Sequence, residues 1–197
     1  MQTKKFGDTA LCMPRKEIIL TTAIRLFTQN NYINVGVDEI IAESKVAKMT
    51  LYKHFSSKEK LILCCLQQLI QNIQFAILQQ IHKHNEPHIQ LQQIYLCYLD
   101  WVKSSYPQGC PIHKARIEIS NIYPSTQILL NEYQYWLYQL IYSRLKQLYV
   151  NHPKTLTEMV IYTLSGSLGQ EIPDTIQSDH RSSWTYLQKL IEIEKNF

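Results

Sequence analysis

The sequence predicts an all-α protein of about nine helices, in which an N-terminal three-helix unit containing a helix-turn-helix precedes a larger helical domain. Two observations carry this. Only 5 Gly and 7 Pro stand among 197 residues while 45% of the chain is hydrophobic, which favours helices over loops and is ample for a core. The apolar residues also recur at i, i+3, i+4 and i+7 in one segment after another, the period of an amphipathic helix.

Residues 1–13 lack periodicity and read as a flexible arm. Pro14 suits the start of a helix, and Ile19, Ala23, Leu26 and Phe27 form its apolar stripe. This helix ends near Asn30-Asn31, with Asn31 as a left-handed C-terminal cap and Tyr32 packing at the start of the next loop. Val37, Ile40 and Ile41 share one face of a second, short helix. Val46 leads into a third, where Leu51 and Phe55, four apart, reach the same small core. The exposed face of the third helix is then Ala47, Lys48, Met49, Thr50, Tyr52, Lys53 and His54. Cations for phosphates, hydroxyls for phosphates or base edges and apolar groups for the thymine methyl are what reads a DNA major groove. Two short helices joined by a tight turn are the matching motif.

Ala23…Leu26-Phe27…Tyr32…Val37-Asp-Glu-Ile-Ile-Ala…Val46-Ala-Lys-Met-Thr-Leu-Tyr-Lys-His-Phe…Ser57-Lys-Glu-Lys-Leu61 resembles the TetR/AcrR family of transcriptional regulators, with Thr-Leu-Tyr-x-His-Phe as its specific core. The resemblance implies DNA-backbone contacts from Thr50 and Tyr52, and from Lys58 at the start of a fourth helix. Gly36, Val37, Lys45, Lys48, Met49, Lys53 and His54 complete the candidate DNA-binding set. Two positions depart from the family pattern. Gly36 stands where Ser or Thr caps the second helix, and it has no hydroxyl to offer. Lys45 replaces the turn Gly, so a non-Gly residue is asked to adopt positive φ.

Charge placement agrees. Residues 1–60 hold ten Lys and Arg against six Asp and Glu, so the whole formal charge of +4 lies there and residues 61–197 net to zero. Lys45, Lys48, Lys53, Lys58 and Lys60 supply a salt-sensitive attraction for phosphates. Five cysteines without CxxC spacing suit free thiols in a reducing compartment, and the start of the chain lacks a signal peptide's apolar segment. The longest uninterrupted apolar run, residues 61–66, is far short of a membrane span. The expectation is a cytoplasmic protein without membrane, metal or cofactor.

The DNA-binding domain covers residues 14–60, and residues 61–197 form the second domain. The fourth helix opens with Ser56 or Ser57 as cap, Ser56 and Glu59 having capping-box spacing, and continues through Leu61, Cys65, Leu69, Ile73, Phe75 and Ile77 to Ile81. Residues 82–88 form a polar loop whose three histidines lack the second ligand pair of a metal site. Leu91, Ile94, Tyr95, Tyr98, Trp101 and Val102 mark a fifth helix. Gly109-Cys-Pro-Ile-His-Lys-Ala-Arg-Ile-Glu118 resembles a Gly-Cys-x-x-x-x-Ala-x-x-Glu segment of one branch of the family and opens a short sixth. Ser125 caps a long seventh, striped by Leu129, Tyr133, Trp136, Leu137, Leu140, Ile141, Leu145 and Leu148. Residues 156–168 and 184–194 supply the last two.

The resemblance implies a dimer built from the last two helices, for which Met159, Thr163, Gly166, Ser167, Leu187 and Ile191 are the candidates. It also implies a ligand pocket among helices four to eight, and the Tyr/Trp-rich middle of the chain suits one with Trp101, Tyr106, Tyr133 and Trp136 as lining. A nucleophile elbow, Gly-rich phosphate loop, HExxH motif and suggestively paired carboxylates are all missing, so an enzyme is not expected. The reading is a homodimeric repressor on a near-palindromic duplex operator, released by a small apolar or aromatic effector. Two alternatives stand beside it: a DNA-binding dimeric scaffold without effector, and a redox or electrophile sensor using Cys110, placed in the first turn of a helix.

Overall fold

The computed structural model describes residues 14–106, 108–169 and 180–195. The arm at residues 1–13 and most of the polar loop before the last helix lie outside them. The described residues form α1 (Arg15–Gln29), α2 (Val37–Ser44), α3 (Lys48–His54), α4 (Lys58–Ile81), α5 (Pro87–Ser105), α6 (Pro111–Glu118), α7 (Pro124–Gln147), α8 (Pro153–Gly169) and α9 (His180–Lys195). The protein is all-helical over these residues.

Ile19, Ala23, Leu26 and Phe27 of α1 are buried with Tyr32, Val35, Ile40, Val46, Leu51 and Phe55, which form the N-terminal end of one continuous core. Phe27 and Tyr32 stack at 5.1 Å between ring centroids. Val37 and Ile41 are only half-buried at its edge. Lys45 takes the left-handed conformation, φ 54° and ψ 32°, as the turn requires. Asn31 does not: Asn30 ends α1 in an extended conformation, and Asn31 instead accepts backbone N–H bonds from Asn34 and Val35, opening the turn to α2.

α4 is the spine, packing against α1, α5, α6 and α7. By length and composition it is apolar enough to cross a membrane, but Leu61, Ile62, Cys65, Leu66, Leu69, Ile70, Ile73, Ile77 and Ile81 are buried as core. Phe75 departs from that stripe and is 65% exposed, because two residues past Ile73 is over half a turn around the helix. The cap is Ser57, whose Oγ accepts the Lys60 N–H at 3.1 Å. Glu59 accepts the Ser125 hydroxyl at 2.6 Å, so no capping box forms with Ser56 and Ser125 does not cap α7.

Each of α5, α6, α7 and α8 opens on a proline, whose missing N–H and fixed φ suit the first helical position. Pro87 therefore starts α5 four residues before Leu91 and shortens the preceding loop. α7 packs on α5 and α8, and α9 closes over α5 and α8. Trp184 of α9 meets Tyr95 of α5 at 5.3 Å. Asn151 and His152 bond to the carbonyl and carboxylate of Glu194, fixing the end of α9 to the α7–α8 connection.

Candidate nucleic-acid interface and an interhelical cavity

With Leu51 and Phe55 committed to the core, α3 turns Lys48, Met49, Tyr52, Lys53 and His54 outward, Met49 being 80% exposed, and Thr50 is half-buried beside them. Met49, Thr50, Tyr52 and Lys53 line one shallow concavity, and α3 carries no carboxylate. Lys48 is not free: its Nζ donates to Asp38 at 3.1 Å, and the bond and charge of that carboxylate raise the lysine pKa. Lys45 stands exposed on the turn. Gly36 is extended, provides no side-chain cap, and a Cβ there would meet nothing within 4 Å. Val37 is half-buried against the core, which leaves its backbone rather than its side chain for any partner. Lys58 turns back, its Nζ donating to the Ile33 carbonyl at 2.9 Å, and partial burial lowers its pKa. It fastens the α1–α2 loop to the start of α4, a contact that sequence spacing did not suggest.

A cavity of about 130 Å³ lies between α5, α6, α7 and α8. Buried Tyr98, Ile112, Tyr133, Leu137, Ile161 and Leu164 form its floor; half-buried His113, Arg116 and Ser165 with exposed Gln134 form its polar side. Of the four aromatics expected at a pocket, only Tyr133 lines it. Trp136 stacks on the Tyr133 ring at 5.9 Å, and Trp101 and Tyr106 meet edge to face at 4.8 Å elsewhere. No residue of α4 lines this cavity. Tyr98, His113 and Arg116 were not foreseen, since nothing local in the sequence marks the direction they face.

Burial pushes the Tyr98 and Tyr133 hydroxyls well above the usual phenol range. Burial, then the Arg116 charge, lowers His113. The Tyr98 hydroxyl and the Cys110 thiol are 3.6 Å apart. Cys110 is only 2% exposed and burial raises its pKa, so the helix start does not yield the accessible thiolate a sensor requires.

The opposite side of α6 grips the DNA-binding unit. The Tyr32 N–H donates to the Glu118 carboxylate at 2.7 Å, the Tyr32 hydroxyl to the Pro111 carbonyl at 3.1 Å, and Lys114 Nζ to the Asn30 carbonyl at 2.8 Å. These contacts account for the Gly-Cys-x-x-x-x-Ala-x-x-Glu segment. Gly109 has φ 97°, Cys110 and Ala115 are buried, and Glu118 holds Tyr32.

On α8, Met159 and Gly166 are exposed, and half-buried Thr163 donates its hydroxyl to the Met159 carbonyl. The Ser167 side chain lies outside the described residues. Leu187 and Ile191 are 6% and 3% exposed and belong to the protomer's own core, so they present nothing to a second copy. The exposed apolar side chains of these two helices also include Tyr162, Tyr186 and Ile193.

Among the described residues no group of His, Cys, Asp and Glu is arranged to hold a metal. Residues 19–65 match the model of the bacterial regulatory proteins of the tetR family. A transcriptional activator, FasR of Mycolicibacterium smegmatis, is 29% identical over 89 residues, 45% of this chain and 41% of its own. The chain spans less than half the length of the curated relatives it matches. The fold is shared with a TetR regulator from Chloroflexus aurantiacus, with a TM-score of 0.79 at 18% identity over 90% of this chain and 94% of that one. It is shared too with AibR, solved with isovaleryl coenzyme A and operator DNA, with a TM-score of 0.73 at 16% identity over 89% and 97%. Residues 19–65 thus carry the DNA-binding helix-turn-helix of the bacterial regulatory proteins of the tetR family, and the chain shares its overall fold with solved regulators of that family.

Proposed function

We propose that the protein is a homodimeric repressor that reads a near-palindromic duplex operator through α3 and leaves it when a small molecule fills the cavity between α5 and α8. The observation that carries DNA reading is the outward face of α3: Lys48, Met49, Thr50, Tyr52 and Lys53 stand together without a carboxylate on that helix. The cavity supports an effector over a scaffold without one, and the burial of Cys110 argues against a thiol sensor.

The coupling route is α6. One side of this helix lines the cavity through Ile112, His113 and Arg116, while Lys114, Glu118 and the Pro111 carbonyl hold Asn30 and Tyr32. A ligand that displaces α6 moves the α1–α2 loop and with it each reading helix relative to its twin. A hundredfold loss of operator affinity needs only about 2.7 kcal/mol of preference for the non-binding form.

The test is selection of bound duplexes from a random pool, followed by salt titration on the selected site. Lys53→Ala and Lys48→Ala each flatten the salt dependence by about one unit if each lysine neutralises one phosphate. Selection that enriches no sequence, or slopes unchanged in both variants, refutes the reading. Repression is checked by a promoter reporter carrying the selected site.

A further inference from the structure

We infer that the cavity between α5 and α8 takes a compact carboxylate with a hydrocarbon body of about benzene size, the carboxylate lying between the Tyr133 hydroxyl and the Arg116 guanidinium. The inference rests on the ligand-responsive reading above and names the ligand's chemistry.

Size comes first. A dry engineered cavity of about 150 Å³ accommodates benzene. The 130 Å³ here admits a ring or a branched chain of similar bulk, far less than the nucleotide of a coenzyme A thioester would need. The floor of Ile112, Leu137, Ile161 and Leu164 asks for hydrocarbon, because only apolar surface gains by leaving water there.

Polarity comes second. The Tyr133 hydroxyl is buried and makes no hydrogen bond of good geometry among the described residues; the group it interacts with is the Tyr98 hydroxyl. Buried polar groups are nearly always paired, so this one leaves a donor open to an arriving acceptor. The Tyr98 hydroxyl beside the cavity is already engaged with Cys110.

Charge decides between acceptors. Arg116 is half-buried, and its two terminal nitrogens donate to the Leu130 carbonyl at 2.6 Å and the Asn131 side-chain oxygen at 3.1 Å, both neutral. No carboxylate pairs with it among the described residues, and none lines the cavity. A half-buried cation without a counter-charge favours an anion over a neutral isostere. One guanidinium matches a single negative charge, and the apolar floor leaves no second cation for a phosphate dianion.

The experiment uses the full chain without DNA and titrates benzoate, its neutral isostere benzamide and isovaleryl coenzyme A by calorimetry. Benzoate should bind at least tenfold tighter than benzamide. In Arg116→Gln that ratio should fall toward one, with benzamide binding retained. Tyr133→Phe gives an independent reading. Benzoate binding should weaken at least fivefold, while the ligand-free Tm shifts by no more than a few degrees. Benzamide binding as tightly as benzoate, a ratio unaffected by Arg116→Gln, or binding of the thioester alone would overturn the assignment. Operator release is then measured separately with the same compounds. Benzoate that binds as described but leaves operator affinity unchanged upholds the site and refutes the ligand-responsive reading.

Discussion

Lys45 and Gly36 bracket α2, and each holds a conformation that a different residue would serve better. At φ 54° the Lys45 Cβ crowds the following carbonyl, a cost of about 1–2 kcal/mol that glycine avoids, offset in part by glycine's larger unfolded-state entropy. Lys45→Gly should therefore stabilise the protein by about 0.5–1 kcal/mol in urea unfolding, and a lower midpoint would refute the strain. Gly36 is the reverse case. Its φ of −83° suits any residue and the space beside it is open, so Gly36→Ser places a hydroxyl where it can accept an α2 backbone N–H. A gain of a few tenths of a kcal/mol in stability is expected, with tighter operator binding if the same hydroxyl meets a phosphate. Asp38→Asn frees Lys48 from its partner and removes a negative charge beside α3. Since both side chains are exposed, stability should hardly change while affinity for duplex DNA rises at low salt.

At the scale of elements, α6 joins the cavity to the helix-turn-helix unit, which α4, absent from the cavity lining, does not. Glu118→Ala leaves the part-buried Tyr32 N–H without its acceptor, a loss of about 1–3 kcal/mol. The more telling outcome is a divided phenotype. Ligand affinity, set on the cavity side of α6, should persist, while the fold-change that ligand produces in operator affinity shrinks. Glu118→Gln keeps an acceptor and should restore most of the stability. An unaltered fold-change in Glu118→Ala would refute the coupling role of α6. The helices themselves were legible because each writes its core face locally: Ile19, Ala23, Leu26 and Phe27 are all buried at helical spacing. The α3 surface followed by subtraction, once Leu51 and Phe55 were assigned inward. The ties from Tyr32 to Glu118 and Pro111 cross 86 and 79 residues, and no local pattern encodes such a contact. Nor does aromatic content fix which way a ring faces. Tyr133 lines the cavity while Trp136, almost one turn on, stacks behind it.

At the scale of the whole molecule the question is how two copies would meet, since the proposed near-palindromic operator needs two reading helices. In a two-fold dimer the reading helices are set about one turn of DNA apart, roughly 34–36 Å in the simplest case. Burial of Leu187 and Ile191 inside the protomer removes them from the meeting surface. The outer faces of α8 and α9 are the candidates: Met159 and Tyr162 on one and Tyr186 and Ile193 on the other are exposed apolar side chains, and the position of Gly166 is open. Two substitutions separate these roles. Gly166→Glu adds a charge where a Cβ meets nothing, so the protomer should keep its helicity. In the dimer that charge is buried without a partner, which should leave the variant monomeric in sedimentation at micromolar concentration and weaken operator binding strongly. Leu187→Glu instead places the charge inside the protomer core and should lower its Tm sharply, with lost helicity rather than clean dissociation. A wild type that sediments as a monomer, or a Gly166→Glu variant that stays dimeric while Leu187→Glu dissociates into folded monomers, would move the interface away from the outer face of α8.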